Sequence, residues 1–209
     1  MLDEAGWTEC TITVSNSLDE YLIQDLWMQD AKIDAFGVGE RLITAKSEPV
    51  FGCVYKLVAV EDKDGNIVPK IKISEHVGKI TTPHFNKLYS FYRRAPGQAI
   101  ADKLTVYDET VDDSQNLEIF DPDATWKRKE VYHFEARELL VPIYQTVKLV
   151  YKRPDFEEIK KYCAEQVDTL WDEVKRFDNP HNYYVDLSQK LYDIKTELLN
   201  EKNERYEKN

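Results

Sequence analysis

The stretches C-T-I-T-V-S-N-S-L-D-E (Cys10–Glu20) and I-D-A-F-G-V-G (Ile33–Gly39) decide the fold class of this chain. Residues 10–14 are short and rich in β-branched side chains, which predicts a strand. Leucines then recur every four residues, which predicts an amphipathic helix over residues 18–30. Residues 33–36 predict a second strand, which ends at a glycine-rich turn.

A strand, a helix and a strand in this order form a βαβ unit, whose strands run parallel through a right-handed crossover. Parallel strands are normally covered on both faces, so the unit is expected to belong to a larger α/β sheet or barrel. Ser17 is predicted to be the N-cap of the helix, with Glu20 completing a capping box. Upstream, Met1–Gly6 is typical of a last helical turn with a glycine C-cap; either a short N-terminal helix or a missing upstream region explains it.

Outside this unit the chain predicts hairpins and two closing helices. The predicted strand pairs are 54–60 with 67–73 around a D-G turn, 88–92 with 99–107, and 139–143 with 148–151. Asp155 is predicted to cap the first closing helix, with Glu158 completing a capping box. Asn179 and Pro180 are predicted to start the second, and the charged tail after Asn200 is expected to fray.

Composition excludes several function classes. With 28 Lys and Arg against 39 Asp and Glu, the net charge of −11 argues against a nucleic-acid partner, because neutralising phosphates needs clustered cations. The one basic run, residues 127–129, is interpreted as a solvated face. No apolar run approaches the roughly 20 residues that span a bilayer, so no membrane association is expected. Three scattered cysteines and no apolar leader favour a cytoplasmic location.

Two turns are the candidate site. Parallel strands place their C-terminal ends on one rim, so Ser15-Asn16-Ser17 and Gly37-Val38-Gly39 are expected side by side. Hydroxyls, free N–H groups and exposed backbone at glycine are suited to a phosphate. Ordinary turn structure also explains both sequences, and the spacing alone leaves both interpretations open.

Glu40 complicates this site, because a carboxylate beside a phosphate is unfavourable. Either Arg41 offsets it, or Glu40 turns away and contributes only its backbone N–H. No catalytic residue and no metal ligand is assigned. The four histidines are far apart in sequence and lack metal-ligand spacing, which favours surface or hydrogen-bonded roles; they are His76, His84, His133 and His181.

Five segments, in this order, resemble the nicotinate phosphoribosyltransferase family. They are S-N-S-L-D-E at 15–20, I-D-A-F-G-V-G at 33–39, V-Y-K-L-V-A-V at 54–60, P-K-I-K-I-S-E at 69–75 and N-P-H-N-Y-Y-V-D-L-S-Q-K-L at 179–191. The resemblance implies an α/β fold: the C-terminal part of an irregular type II phosphoribosyltransferase β/α barrel over 1–75, then an α+β C-terminal extension with terminal helices over 76–209.

The resemblance also implies a function. The family is a transferase, also classed as a ligase, that makes nicotinate mononucleotide from nicotinate and phosphoribosyl pyrophosphate with ATP hydrolysis, in NAD salvage. It implies ATP and Mg as cofactors at sites outside this segment, and a homodimer or a pairing with the missing N-terminal part. A nicotinamide-using relative stays open. The alternatives are a non-catalytic interaction module or half-enzyme fragment, and an unrelated acidic α+β binding protein.

By the same resemblance, the two turns and Glu40 bind the 5-phosphate of the ribose. The predicted phosphate-binding residues are Ser15, Asn16, Ser17, Gly37, Val38, Gly39 and Glu40. Relatives often carry threonine at the position of Glu40 and glycine at the position of Cys53. The family's phosphorylated histidine and its nicotinate-binding residues lie upstream of this segment, so no histidine here inherits that role.

Overall fold

A computed structural model describes the backbone of residues 1–207 and the side chains of residues 1–201. The fold is mixed α/β, in two compact units: Met1–Tyr55, called unit 1, and Lys56–Asn209, called unit 2. Residues 56–75 belong to unit 2, whereas the boundary after residue 75 was drawn from the resemblance and stays a prediction. No helix in the described part of the chain is long and apolar enough to cross a membrane.

Unit 1 contains the strand–helix–strand order that the sequence predicts. Its elements are a 3-10 helix Asp3–Ala5, β1 Thr13–Ser15, α1 Glu20–Met28, β2 Ala35–Gly37 and α2 Glu40–Ile43. The strands β1 and β2 pair in parallel, as predicted. Gly6 ends the 3-10 helix with a φ of +86°, a conformation that glycine adopts without strain.

The start of α1 corrects the predicted cap. Asp19, not Ser17, is the N-cap, and its side chain accepts a hydrogen bond from the Leu22 N–H at 2.9 Å. An N-cap residue needs extended backbone, which Asp19 has (φ −138°, ψ 177°), whereas Ser17 has a left-handed φ of 54°. Glu20 is therefore the first helical residue, and the capping box predicted there is absent.

Unit 2 is built mainly from antiparallel strands. Its strands are β3 Ala59–Glu61, β4 Ile67–Pro69, β5 Asn86–Arg93, β6 Ala99–Val106, β7 Leu117–Phe120, β8 Arg128–Val131, β9 Phe134–Glu138, β10 Tyr144–Gln145, β11 Lys148–Leu149 and β12 Val185–Leu187. A 3-10 helix Val77–Lys79, α3 Phe156–Thr169 and α4 Gln189–Glu207 complete it. The main sheet has the strand order β12-β6-β5-β9, while β3-β4, β7-β8 and β10-β11 form separate hairpins.

The predicted hairpin 88–92 with 99–107 is confirmed, the hairpin predicted over 54–60 and 67–73 pairs only over Ala59–Glu61 and Ile67–Pro69, and the third is shifted. The D-G turn closes β3-β4, where the Asp62 side chain accepts from the Asn66 N–H at 2.8 Å and Gly65 has a φ of +83°. The first strand of the third hairpin, β10, follows the predicted residues 139–143 instead of occupying them. Thr146 and Val147 form the turn of this hairpin, both with positive φ. Turns are recognised in a sequence mainly by glycine and proline, so this turn has no such signal.

The start of α4 is also corrected. Residues 185–187, predicted as helix, form β12, which pairs in parallel with β6 so that Leu187 lies opposite Leu104. The helix begins only at Gln189. The hydroxyl of the preceding residue, Ser188, accepts a hydrogen bond from the Leu191 N–H at 3.2 Å. Its backbone continues to Glu207; the end of the tail predicted to fray, residues 208–209, lies outside the described residues.

The hydrophobic core lies in unit 2. Phe91 and Phe134 are fully buried and pack edge to face with ring centroids 5.3 Å apart. Residues of the β7-β8 hairpin, Ile119 and Val131, close this cluster over the sheet. A second buried cluster joins Leu191 of α4 to Val106 and Leu187.

The capping box of α3 is confirmed and gives a testable prediction. The Asp155 carboxylate accepts the Glu158 N–H, and the Glu158 carboxylate accepts the Asp155 N–H, both at 2.9 Å. Asp155→Ala is expected to destabilise the helix by about 1 kcal/mol, seen as roughly fivefold faster amide exchange in its first turns. The control is Asp168→Ala, which removes a carboxylate from the unfavourable helix C-terminus. Equal exchange rates in both variants would contradict the prediction.

Candidate functional site

The two predicted turns lie side by side in unit 1. Strands β1 and β2 end in register, with Ser15 directly opposite Gly37. The Ser15 hydroxyl donates to the Gly37 carbonyl oxygen at 3.3 Å, which ties the two strand ends together. The expectation that both turns share one rim is therefore met by the geometry, although phosphate binding itself stays a prediction.

The closeness of these strand ends explains the glycine at position 37. A Cβ atom built on Gly37 would lie 3.1 Å from the Ser15 Oγ and 3.2 Å from the Ser15 Cβ. Both distances are tighter than ordinary van der Waals contact, so a side chain here would displace Ser15. At Gly39, by contrast, nothing lies within 4 Å of that position, and the backbone is open to an approaching group.

A cleft of about 270 Å³ opens between the two turns. It is lined by Ser15, Asn16, Ser17, Leu18, Gly37, Gly39, Glu40, Arg41 and Lys46. Six of the seven predicted residues are thus brought together, and Val38 is the one outside the lining. Asn16 and Ser17 both have left-handed backbone, with φ of 93° and 54°. Two successive non-glycine residues in this region indicate a turn held by its surroundings, which is common at binding sites.

An ion pair beside the cleft was not foreseen from the sequence. Arg41 donates to the Asp19 carboxylate, which also caps α1. The hydrogen bond from the Leu22 N–H lowers the pKa of Asp19 below its ordinary value, and the Arg41 charge lowers it further. The positive charge of Arg41 is therefore largely offset by Asp19, a pairing that neither alternative for Glu40 included.

Lys46 is the cation that sequence reasoning missed. It lines the cleft and forms no ion pair within the described part of the chain. It follows Glu40 by six positions and belongs to no motif, so only the folded chain reveals it. Glu40 is among the lining residues. Because Asp19 offsets Arg41, Lys46 and Glu40 are the two remaining opposite charges of the lining.

Backbone donors complete the cleft. The N–H groups of Glu40 and Arg41 open the helix α2, where no intrahelical acceptor exists for them. The Leu42 N–H, in contrast, already donates to the Gly39 carbonyl oxygen at 3.1 Å. Hydroxyls, unpaired N–H groups and one unpaired ammonium are the donors that an oxyanion requires.

No group of three or more His, Cys, Asp and Glu side chains among the described residues could hold a metal ion. His84 stacks on Tyr107 and accepts the N–H of Phe85 at 2.9 Å. The turn at Asp121 is closed by the Asp123 N–H. The cysteines are free and exposed.

Comparison with known proteins identifies the family. The model of the nicotinate phosphoribosyltransferase C-terminal domain matches residues 85–195, more than half of the chain. This chain belongs to the nicotinate phosphoribosyltransferase family. The resemblance noted in the five ordered segments is confirmed.

Individual relatives extend the match over the whole chain. A Bacillus subtilis protein named nicotinate phosphoribosyltransferase is 40% identical over 207 residues, which cover 99% of this chain and 42% of the relative. A Caenorhabditis elegans protein of the same name is 34% identical over 87% of this chain and 32% of its own length. The chain thus spans less than half the length of these relatives.

A solved structure supports the fold. The crystal structure of human nicotinic acid phosphoribosyltransferase matches with a TM-score of 0.67 and 20% identity, covering 94% of this chain and 36% of the human chain. At this identity the likeness concerns the fold alone. It agrees with the mixed α/β architecture described above.

Proposed function

We propose that this chain is part of a nicotinate phosphoribosyltransferase and supplies the binding site for the ribose 5-phosphate. The whole enzyme would make nicotinate mononucleotide from nicotinate and phosphoribosyl pyrophosphate with ATP hydrolysis, in NAD salvage. The observation that carries the proposal is the cleft where Ser15 and Gly37 meet, with Lys46 as an unpaired cation beside free N–H groups. The names of the relatives support the reaction class.

In this proposal, residues 1–75 are the last part of a type II β/α barrel and residues 76–209 its C-terminal extension. The reaction forms a bond between the pyridine nitrogen and the anomeric carbon as the bond from that carbon to pyrophosphate breaks. A phosphate fixed at the far end of the sugar holds the anomeric carbon in place, which lowers the entropic part of the barrier. The resemblance implies ATP and Mg sites outside this segment, so no step is assigned to either.

A binding experiment tests the site directly. Ribose 5-phosphate is titrated into the chain and followed by calorimetry and ³¹P NMR. Lys46→Gln is expected to weaken binding by roughly tenfold, because it removes a charge-assisted hydrogen bond. Glu40→Gln is expected to strengthen binding by about threefold, because it removes a like charge. The two variants therefore shift the affinity in opposite directions.

The matched control is Lys152→Gln, which removes the same charge from an exposed position in unit 2. Its affinity should equal that of the unchanged chain. If Lys46→Gln and Lys152→Gln bind alike, the cleft is not the phosphate site. An assay of the chain alone with nicotinate, phosphoribosyl pyrophosphate and ATP is expected to show no turnover; rates typical of a complete enzyme would overturn the view that this segment lacks essential groups.

The second candidate function is a half-enzyme or interaction module that pairs with a separate N-terminal part. Its support is the exposed apolar surface of unit 1, where Trp7, Trp27, Leu42 and Ile43 are each 66% exposed or more. A two-stranded parallel sheet is normally covered on both faces. Co-expression with the N-terminal part of the Bacillus relative should then yield a stable complex with restored turnover. An inert monomer after co-expression would count against pairing.

A further inference from the structure

A second cavity, of about 220 Å³, lies in unit 2 between the β7-β8 hairpin and β12. Asp186 and Tyr184 line it from β12 and the residue before it, while Asp121, Lys127 and Lys129 line it from the hairpin. Its volume is below the roughly 300–1,000 Å³ of typical ligand pockets, so it suits one planar ring system with the rest of a ligand at the rim. Nothing in the proposed phosphoribosyl transfer uses it.

Asp186 is a buried carboxyl group without a hydrogen-bond donor among the described residues. It is only 3% exposed, and the nearby Lys103 charge acts on it without a salt bridge or a hydrogen bond between the two side chains. Lys103, its direct neighbour on β6, instead donates to the Glu118 carbonyl oxygen at 3.0 Å. Burial raises the pKa of Asp186 to about 6; the Asp121 charge adds to this and the Lys103 charge opposes it, so at neutral pH the group is mainly an acceptor-only carboxylate. Burying a carboxylate without a hydrogen bond is unfavourable, which favours a missing donor in the cavity.

The rim of the cavity is basic, but only one cation there is available. Lys127 pairs with Asp121 at 3.6 Å. Arg128 pairs with Glu118, and its guanidinium lies over the Phe120 ring. Lys129 forms no ion pair with a described residue and lines the cavity. The cavity therefore combines a carboxylate at its floor, an aromatic wall at Tyr184 and a free ammonium at its rim.

We propose that this cavity binds a guanine mononucleotide. The guanine edge carries two adjacent N–H donors, N1–H and the N2 amino group, which match the two oxygens of Asp186. Adenine would place the N1 lone pair against a carboxylate oxygen, which is repulsive. The nucleotide phosphate would lie at the rim within reach of Lys129. This proposal does not depend on the proposed phosphate site in unit 1.

Calorimetric titration of the chain with GMP tests the proposal. GMP is expected to bind with a Kd of about 1 mM or below. IMP lacks the N2 amino group and should bind roughly tenfold more weakly, since a carboxylate oxygen is left unpaired. AMP and inorganic phosphate should bind more weakly still. Equal affinity for GMP and AMP would overturn the assignment, because Asp186 would then not distinguish the N–H donors of guanine from the N1 acceptor of adenine.

Two variants separate the floor from the rim. Asp186→Asn replaces one acceptor with a donor, so the preference should shift from GMP to XMP, whose edge offers one donor and one acceptor. A variant that merely loosened the fold would weaken both ligands alike and so contradict the proposal. Lys129→Gln should weaken GMP roughly tenfold and leave guanosine unchanged, with Lys152→Gln as the matched control.

The two sites are distinguished by cross-controls. Lys46→Gln is expected to leave GMP binding unchanged, and Asp186→Asn is expected to leave ribose 5-phosphate binding unchanged. If Lys46→Gln removes GMP binding, the nucleotide is held in the unit 1 cleft by its phosphate and the cavity proposal is wrong. Failure of GMP binding alone leaves the proposed function of the unit 1 cleft standing.

Discussion

Replacing Gly37 with valine should abolish detectable binding of ribose 5-phosphate to the unit 1 cleft. Even the first atom of a side chain would lie 3.1 Å from the Ser15 Oγ and 3.2 Å from the Ser15 Cβ. The branched valine side chain adds two methyl groups to this overlap, and overpacking of this kind costs about 1–3 kcal/mol. Because Ser15 is itself a lining residue, the strain falls directly on the cleft.

Smaller changes at the same place give a graded control. Gly37→Ala should need a shift of a few tenths of an ångström in Ser15 and weaken binding by a few fold. Ser15→Gly removes both close atoms, so the double variant should tolerate Gly37→Ala without the structural penalty. Gly39→Ala should leave folding nearly unchanged, since no atom of the chain lies within 4 Å of its Cβ position, whereas a ligand that approaches this backbone would be hindered. Calorimetry measures binding and tryptophan fluorescence measures folding; equal losses of folding stability at both glycines would contradict the close-contact argument.

The parts of this fold that the sequence predicted rest on local signals. The β-branched run of β1 and the leucine period of α1 lie within twenty residues of one another. Their parallel pairing then follows from the general handedness and coverage of βαβ units. The capping box at Asp155 and the D-G turn at Gly65 are also local signals, because the residues that form each of them lie within a few positions of one another in the sequence.

The parts that failed depend on distant partners. Leu187 has helical spacing with Leu191, so the sequence favoured one continuous helix. The chain forms β12 there instead, since β6, some eighty positions earlier, offers an open edge for Leu187 opposite Leu104. Tertiary pairing thus overrides a local period, and the β-favouring residues Tyr183, Tyr184 and Val185 are the local signal that the helical spacing outweighed.

The candidate site shows the same division. Ser15 and Gly37 could be placed together because parallel strands align their ends. Arg41 could not be assigned, because its partner Asp19 was hidden by the mistaken cap at Ser17. In the structure, Asp19 caps the helix through its Oδ1 atom and accepts Arg41 at its Oδ2 atom. Lys46 is therefore the cation of the lining that has no ion-pair partner among the described residues.

The largest effect on stability is expected at Phe134 of unit 2. Phe134→Ala should lower the free energy of unfolding of this unit by about 3–5 kcal/mol, the usual range for emptying a fully buried phenylalanine site. Phe134 has no exposed surface and packs edge to face on Phe91, so the substitution loses the aromatic contact as well as buried area. Ile119 and Val131 belong to the β7-β8 hairpin, and their contacts with this cluster would be weakened too.

Urea unfolding followed by circular dichroism measures this change. Phe156→Ala is the matched control, because Phe156 is 73% exposed at the start of α3 and should change stability by no more than about 0.5 kcal/mol. A similar midpoint for the two variants would mean that the Phe91 and Phe134 cluster does not hold the unit together. A large loss confined to Phe134→Ala would instead show that unit 2 is held together by its own hydrophobic core.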